Sequence, residues 1–368
     1  MSDPPLRVGI VGMGFGADVH LPAFRAVPGV DIVALCDSGS GRAQQVAHEA
    51  GIPAFFHDWR PLLAAGVDIV SVATPPAFQR EVVTAALGAG KHVLCEKPLG
   101  RSLAAALSME SVAAQSGLTH AVCFQFRFEP GLQEIARIVA GGALGALRRI
   151  QASWLTAGRA DPKRPWSWQN DLESGGGVLE GFGSHMLDYV AWIARRYWLR
   201  VQARSSILIP ERRDSEGNKR QVTADDSFDL IGELEGGIAA NLSASNCQTH
   251  GCGHRIEVYG DKGRAVLIHQ PPFDQPARLE METEAGGPTT LPLPTGLNPR
   301  DEDSRLAPFR ELVRRFVAAV RGEPAPDLPN FSEGVRIRAA LDAARESIKT
   351  GAEVGLSSPK SATPLPER

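Results

Sequence analysis

The chain has 368 residues, 43% of them hydrophobic and 22% charged, which is ordinary globular usage and excludes disordered, collagen-like and disulfide-scaffold classes. That length suits about two domains. With 39 basic against 42 acidic side chains and a formal charge of −3, the chain lacks the basic surplus that draws a protein to a phosphate backbone, so no nucleic-acid partner is expected.

From residue 7 to about residue 124, short β-branched runs alternate with longer helical stretches, the pattern that builds a parallel sheet with crossover helices. Strands are predicted over 7–11, 31–36, 68–73, 92–95 and 119–124. Helices are predicted over 19–27, 41–50, 78–89 and 102–116, with Gly51, Gly90 and Gly117 placed where C′ glycines stop a helix. After Pro130 one helix (131–140) leads into alternating segments at 147–156, 199–209, 227–235, 237–245, 255–260 and 264–269. No crossover helices separate the last four, which predicts a mostly antiparallel sheet, with helices at 185–195, 306–321 and 333–350. The Pro-, Gly- and Thr-rich stretch 270–303 reads as a long surface loop.

The expected fold class is therefore α/β. An N-terminal Rossmann dinucleotide-binding domain (1–125) precedes a C-terminal α+β domain with a large, mostly antiparallel open sheet (126–350), and a disordered tail is expected over 351–368. No apolar run approaches the roughly 18 residues that span a bilayer, and MSDPPLRVGIVG has neither a basic n-region nor a cleavable apolar core. A cytoplasmic protein without membrane association is expected. The five cysteines are an odd number, and Cys36, Cys95 and Cys123 each close an apolar run, which suits reduced, buried thiols.

Immediately after the first strand stands Gly12-Met13-Gly14-Phe15-Gly16-Ala17, a G-x-G-x-x-A form of the dinucleotide fingerprint. Gly12 permits the tight turn, Gly14 lets backbone approach a pyrophosphate, and Ala17 is small enough for close helix–strand packing. Phe15 and Gly16 complete this cofactor-binding turn, whose phosphates can sit at the positive helix terminus. Asp37 lies 20 residues beyond Ala17, where a carboxylate would accept hydrogen bonds from an adenosine ribose. It would repel a 2′-phosphate, which favours NAD. Arg42 keeps NADP open, since it would pair with a 2′-phosphate if the loop 38–41 folds back.

Thr74-Pro75-Pro76 after the third strand and Gly90-Lys91-His92-Val93-Leu94-Cys95-Glu96-Lys97-Pro98 at the end of the fourth resemble the glucose–fructose oxidoreductase / inositol dehydrogenase / rhizopine-catabolism (Gfo/Idh/MocA) family. The resemblance resumes at Phe126-Arg127-Phe128, at Gly175-Gly176-Gly177 with His185-Met186-Leu187-Asp188, and at Glu257-Val258-Tyr259-Gly260-Asp261-Lys262-Gly263, and covers roughly residues 6–350. It implies an NAD(P)-binding domain, hydride chemistry on a sugar or polyol, and a C-terminal sheet that often makes a homo-oligomer, a dimer or tetramer. Thr74, Pro75, Glu96 and Lys97 fall on the cofactor side, and Arg127 and Asp188 become candidate substrate contacts. Lys97 stands at a strand carboxyl end, where open α/β sheets bind ligands. Its ammonium would stabilise negative charge on the reacting oxygen. His185 is the candidate acid/base, an imidazole able to take the hydroxyl proton as the hydride leaves.

Two positions break the family pattern. Relatives usually have an aspartate four residues before the histidine, and here that residue is Gly181. Glu180 is adjacent, but on a continuous α-helix a five-residue offset is about 500°, roughly 140° around from His185. Its carboxylate reaches the site only if Gly181 and Gly183 keep the segment irregular. Gln79 replaces a histidine common in relatives, which reads as a change at the cofactor or substrate rim.

The segment 158–171 follows a strand and combines two tryptophans with several charges, a composition suited to a polar ring compound. Arg159, Lys163 and Trp168 are candidate contacts. The alternative is that the tryptophans bury themselves under a loop while the charges face water. Cys247, His250, Cys252 and His254 include zinc-ligand types, but C-x-x-H-x-C-x-H does not match paired ligand loops, and no metal is expected. The expected activity is an NAD(P)-dependent dehydrogenase or reductase acting on CH–OH groups of a sugar, cyclitol or derivative. Two alternatives stand beside it: a non-catalytic NAD(P)-binding sensor, and redox-neutral, NAD-assisted glycoside elimination.

Overall fold

The alternation of apolar runs and helical stretches at the start of the chain folds as a six-stranded parallel sheet. The computed structural model describes residues 4–271, 273, 275–284, 286–293, 303 and 305–356. Strands β1 (Leu6–Val11), β2 (Val30–Cys36), β3 (Ala54–Phe56), β4 (Ile69–Val72), β5 (His92–Cys95) and β6 (His120–Val122) lie in the order β3-β2-β1-β4-β5-β6. The order reverses direction at β1, so the crevice outside the ends of β1 and β4 is the topological switch point where such sheets bind ligands. The connecting helices are α1 (Leu21–Arg25), α2 (Arg42–Ala50), α3 (Trp59–Leu63), α4 (Pro76–Gly88) and α5 (Leu103–Ser116). Ser102 caps α5 by accepting from the Ala105 N–H. Gly51, Gly90 and Gly117 take φ of 66°, 74° and 65° beyond the helix ends, as predicted. The three-residue β3 and five-residue α3 were too short for periodicity to reveal.

The second unit begins with α6 (Pro130–Ala140), β7 (Leu147–Leu155), α7 (Ser184–Ala194) and β8 (Trp198–Ser206). A separate small hairpin of β9 (Glu211–Arg213) and β10 (Lys219–Gln221) precedes β11 (Ser227–Leu234), β12 (Ile238–Ser245), β13 (Gly253–Gly260) and β14 (Gly263–His269). The stretch read as a long loop contains β15 (Arg278–Thr283) and β16 (Gly286–Leu291), an antiparallel pair that extends the sheet from β14. The Gly, Pro and Thr content of this stretch masked the pair, whose outer strand β16 stands at the sheet edge.

Helices α8 (Leu306–Val320) and α9 (Phe331–Thr350) and the short strand β17 (Val354–Gly355) complete the chain. The large sheet has the order β16-β15-β14-β13-β7-β12-β11-β8-β17. Its pairs are antiparallel except for the central β7–β12 pair. Of the segment expected as a tail, residues 354 and 355 pair with β8; residues 357–368 lie outside the described residues.

The compact units divide the chain differently from a cut at residue 125: the first takes Met1–Phe128 and Asp301–Val335, the second Glu129–Arg300 and Arg336–Arg368. The physical reason is α8. Its Phe309, Leu312, Val313 and Phe316 are fully buried in one cluster with Val8 and Ile10 of β1 and Phe24 of α1. Periodicity identified this helix but could not say which sheet it covers. Among the described residues no helix is long and apolar enough to cross a membrane.

Candidate functional site

In the first unit the glycine turn closes β1 and opens a helical segment that starts as a π-helical turn, Gly16–His20, and continues as α1. Gly12 has φ +101°, and a Cβ there would stand 2.5 Å from the Ala73 carbonyl oxygen, so both conformation and the neighbouring strand end require glycine. A Cβ on Gly14 would meet nothing within 4 Å; this is the open side, where backbone is free to face a pyrophosphate. Gly16 also serves close helix–strand packing, since a Cβ there would lie 3.1 Å from Ile10 Cγ2 and 3.2 Å from Ala73 Cβ, and Ala17 packs against the same core. The turn thus fits a dinucleotide. The Phe15 ring packs edge-on against Phe309 and His20, with the Arg305 guanidinium over it.

The ends of β1, β4 and β5 are tied by a polar relay that the sequence did not reveal. His20 is fully buried; its Nδ1 lies 2.7 Å from Ser71 Oγ and its Nε2 3.1 Å from Glu96 Oε1. The two ring nitrogens thus join a hydroxyl, which can donate or accept, to a carboxylate, which accepts. The other Glu96 oxygen accepts the Lys97 backbone N–H at 3.2 Å. Gln79, expected at the rim, is instead wholly buried. It donates to the Glu96 carbonyl at 2.8 Å and the Thr74 carbonyl at 3.4 Å, while its Oε1 accepts the Gly100 N–H at 2.7 Å. An amide supplies donor and acceptor at once, which is why it fits a backbone-bracing position. Thr74 and Pro75 form the turn into α4, and Lys97, at the end of β5, is joined to Pro98 by a cis peptide bond.

Cys123 completes a buried group with His20 and Glu96 whose donor atoms all lie within 4.8 Å of one another. Burial, with Glu96 next, pushes the Cys123 thiol well up, so the group is a hydrogen-bonded relay of a thiol, a carboxylate and an imidazole.

Asp37 follows β2, and its carboxylate already accepts from the loop beyond it and lies against His57. Oδ1 accepts from Gly39 N at 2.9 Å and lies 2.7 Å from His57 Nδ1; Oδ2 accepts from Ser40 Oγ at 2.8 Å and Ala43 N at 3.0 Å. Burial would raise this acid, but these donors outweigh it and hold the carboxyl well below the usual range. Arg42 turns away to Asp18, 2.7 Å, in an exposed pair. The acid thus shapes the loop between β2 and α2.

In the second unit α7 is preceded by a π-helical turn, Leu179–Gly183, in which the Ser184 N–H reaches back to the Leu179 carbonyl. This irregularity, a frequent mark of functional helices, is the case that Gly181 and Gly183 left open in the sequence. Glu180 is nevertheless committed elsewhere: it accepts from Arg338 at 2.6 and 3.1 Å and from Arg345 at 3.5 Å. His185 and Asp188, three residues apart on α7 and so on one face, are both buried. Phe182 of the π turn stacks on Trp154 of β7 (centroids 4.4 Å apart), which stacks on His254 of β13 at 4.5 Å. His254 Nε2 lies 3.0 Å from the Tyr189 hydroxyl, and burial pushes the imidazole down to about 3. His254 therefore anchors α7 to the sheet as a neutral group. Cys247 points its thiol at the Arg159 carbonyl, 3.3 Å, and Cys252 is exposed, so these residues serve separate contacts.

Arg127, expected near substrate, is buried in the first unit and paired with Glu333 at 2.8 Å. Arg159 is half-buried in the loop after β7, Lys163 is exposed there, and Trp168 is 41% exposed.

Residues 6–124 match the model described as "Oxidoreductase family, NAD-binding Rossmann fold", and residues 132–266 match the "GFO/IDH/MocA C-terminal domain". An uncharacterized oxidoreductase of Synechocystis is 31% identical across 94% of this chain and 95% of its own length. Levoglucosan dehydrogenase of Pseudarthrobacter phenanthrenivorans is 27% identical across 72% of this chain and 74% of its own. Among solved structures, an oxidoreductase domain protein from Kribbella flavida superposes with a TM-score of 0.87 at 26% identity, over 96% of this chain and 100% of that one. The first unit is an NAD-binding Rossmann domain.

Proposed function

The chain belongs to the GFO/IDH/MocA oxidoreductase family, and from that premise we propose that it moves a hydride between NAD and a secondary alcohol or ketone carbon of a sugar, cyclitol or derivative. The observation that carries this reading is the placement of Lys97: a lysine at the carboxyl end of β5, its backbone fixed by Glu96, in the sheet whose β1 end bears the open glycine turn. Bound NAD supplies the hydride acceptor. The Lys97 ammonium donates to the reacting oxygen and stabilises charge there. His185 takes the hydroxyl proton in the oxidative direction and returns it in the reverse. Gly12, Gly14, Phe15 and Gly16 cradle the pyrophosphate, Asp37 takes the ribose, and Thr74, Pro75 and Glu96 frame the strand ends.

The names of relatives support the substrate class, since levoglucosan is a sugar derivative. A homo-oligomer working in the cytoplasm belongs to the same proposal; exposed Leu208 and Ile231 supply apolar surface for subunit contact. The test is NADH absorbance at equilibrium and under turnover with a panel of sugars, sugar derivatives and inositols. NADH formation on a member of the panel is the expected result. Tight NADH binding without turnover on any member would favour a sensor, and turnover with cofactor retained and no net redox change would favour assisted elimination.

A further inference from the structure

Buried guanidiniums in this chain normally face carboxylates. Arg127 pairs with Glu333 and Arg338 with Glu180 and Asp342. Arg212, 3% exposed, is different: its Nη1 donates to the carbonyls of Asp161 (2.8 Å) and Arg164 (3.3 Å), and its Nη2 to that of Arg159 (2.6 Å). Arg164 donates in turn to the Gly158 carbonyl at 2.7 Å. Carbonyl dipoles solvate these cations without cancelling their charge, and among the described residues neither Arg159, Arg164 nor Arg212 has an ion pair with a carboxylate. A cation taken partly out of water beside others of its sign is costly unless an anion completes the set.

The backbone that presents Arg159 is pinned. Its N–H donates to the Asn246 carbonyl at 2.7 Å, and its own carbonyl accepts from Arg212 and from the Cys247 thiol at 3.3 Å. The Arg159 side chain itself is half-buried, and desolvation, with Arg164 and Arg212 next, pulls it down to about 10. The loop starts just beyond Trp154, which stacks on Phe182 in the turn ahead of His185. A half-buried guanidinium on a pinned backbone, with like charges close by, is an arrangement suited to carboxylate or phosphate oxygens.

We propose that Arg159, backed by Arg164 and Arg212, is an anion-recognition site of the second unit, and that the substrate is an acidic sugar derivative whose carboxylate or phosphate it takes. The assignment of that anion to the substrate rests on the dehydrogenase reading above. The site itself does not, because it is defined by anion binding.

The test is calorimetric titration of the full-length protein, with and without NADH, using inorganic phosphate, glucose 6-phosphate and D-glucuronate. Binding that weakens about tenfold or more in Arg159→Gln and is largely restored in Arg159→Lys is expected, with a loss of affinity as salt rises. Arg164→Gln, at an exposed position, should weaken the same ligands and guards against a folding defect in the first variant. Tighter glucuronate would assign a sugar acid, and tighter glucose 6-phosphate a sugar phosphate. No binding of any of the three anions, or equal binding by Arg159→Gln, would overturn the proposal. Failure of NADH to bind while phosphate still binds through Arg159 would instead sink the dehydrogenase reading alone.

Discussion

Glu180 and Arg338 form a buried, two-bond pair at 2.6 and 3.1 Å, and the carboxylate belongs to the π turn that leads into His185. Arg345 bridges the same carboxylate to Asp225, and Asp225 accepts the Leu179 N–H at 2.7 Å. The turn is therefore held at its acidic side chain by guanidiniums of α9 and at its first backbone donor by Asp225, which Arg345 in turn pairs. A residue that stands near the expected aspartate in sequence works here as a strut.

Removing one partner of such a pair strands a charge, at a cost of about 3–5 kcal/mol. Glu180→Ala should lose stability of that order at neutral pH, read from urea unfolding. Burial would raise this carboxyl, but Arg338 and Arg345 outweigh it and hold it below the usual range. The folded pKa is depressed, so the contribution is complete above the unfolded carboxylate pKa and disappears as pH falls through the folded one. The gap between native protein and variant should close below about pH 4. A gap independent of pH would mean packing, not charge, is at stake.

Much of this architecture could be read in advance from local signals. The fingerprint turn, the C′ glycines and the strand-to-helix alternation each depend on residues within one turn of each other. The roles that local signals could not show depend on long-range contacts. Gln79 is 17 residues from the Glu96 carbonyl it braces, Glu180 is 158 from Arg338, and His20 is 76 from Glu96. The π turn at 179–183 was legible only in part: its glycines permit irregularity without specifying its form.

Asp37 accepts four donors in addition to any ribose hydroxyl, so Asp37→Ala should act twice. Losing one or two charge-assisted hydrogen bonds should weaken NAD by about 10- to 100-fold, and NADP by less, because its 2′-phosphate never gained from the acid. The loop between β2 and α2 should also loosen. Fluorescence titration with both cofactors gives the ratio, and thermal melting gives the second effect. An unchanged preference between the two cofactors would show that the acid shapes the loop without touching the ribose.

The proposed role of Lys97, donation to the reacting oxygen, is tested separately from that of Asp37. Lys97→Ala should lower kcat by about 10²–10³-fold, the usual loss when one donor to a developing oxyanion is removed. The NADH dissociation constant should change little, since the glycine turn and Asp37 are untouched. Stopped-flow turnover on the best substrate of the panel, alongside NADH titration, separates the two. Equal turnover in the variant would remove the amine from the mechanism.

Gly181 offers a gain-of-function test. A Cβ there would meet nothing within 4 Å, and its φ is not in the left-handed region, so a side chain can be added without strain. Gly181→Asp restores a carboxylate four residues before His185, and an anion beside an imidazole favours the protonated form. As a base in the oxidative direction the imidazole must be neutral, so the acid limb of kcat/KM should move to higher pH by about one unit. Stability should stay within about 1 kcal/mol of the native chain, since a glycine inside a helix is replaced. A limb that stays in place would mean that the group titrating in turnover is not His185.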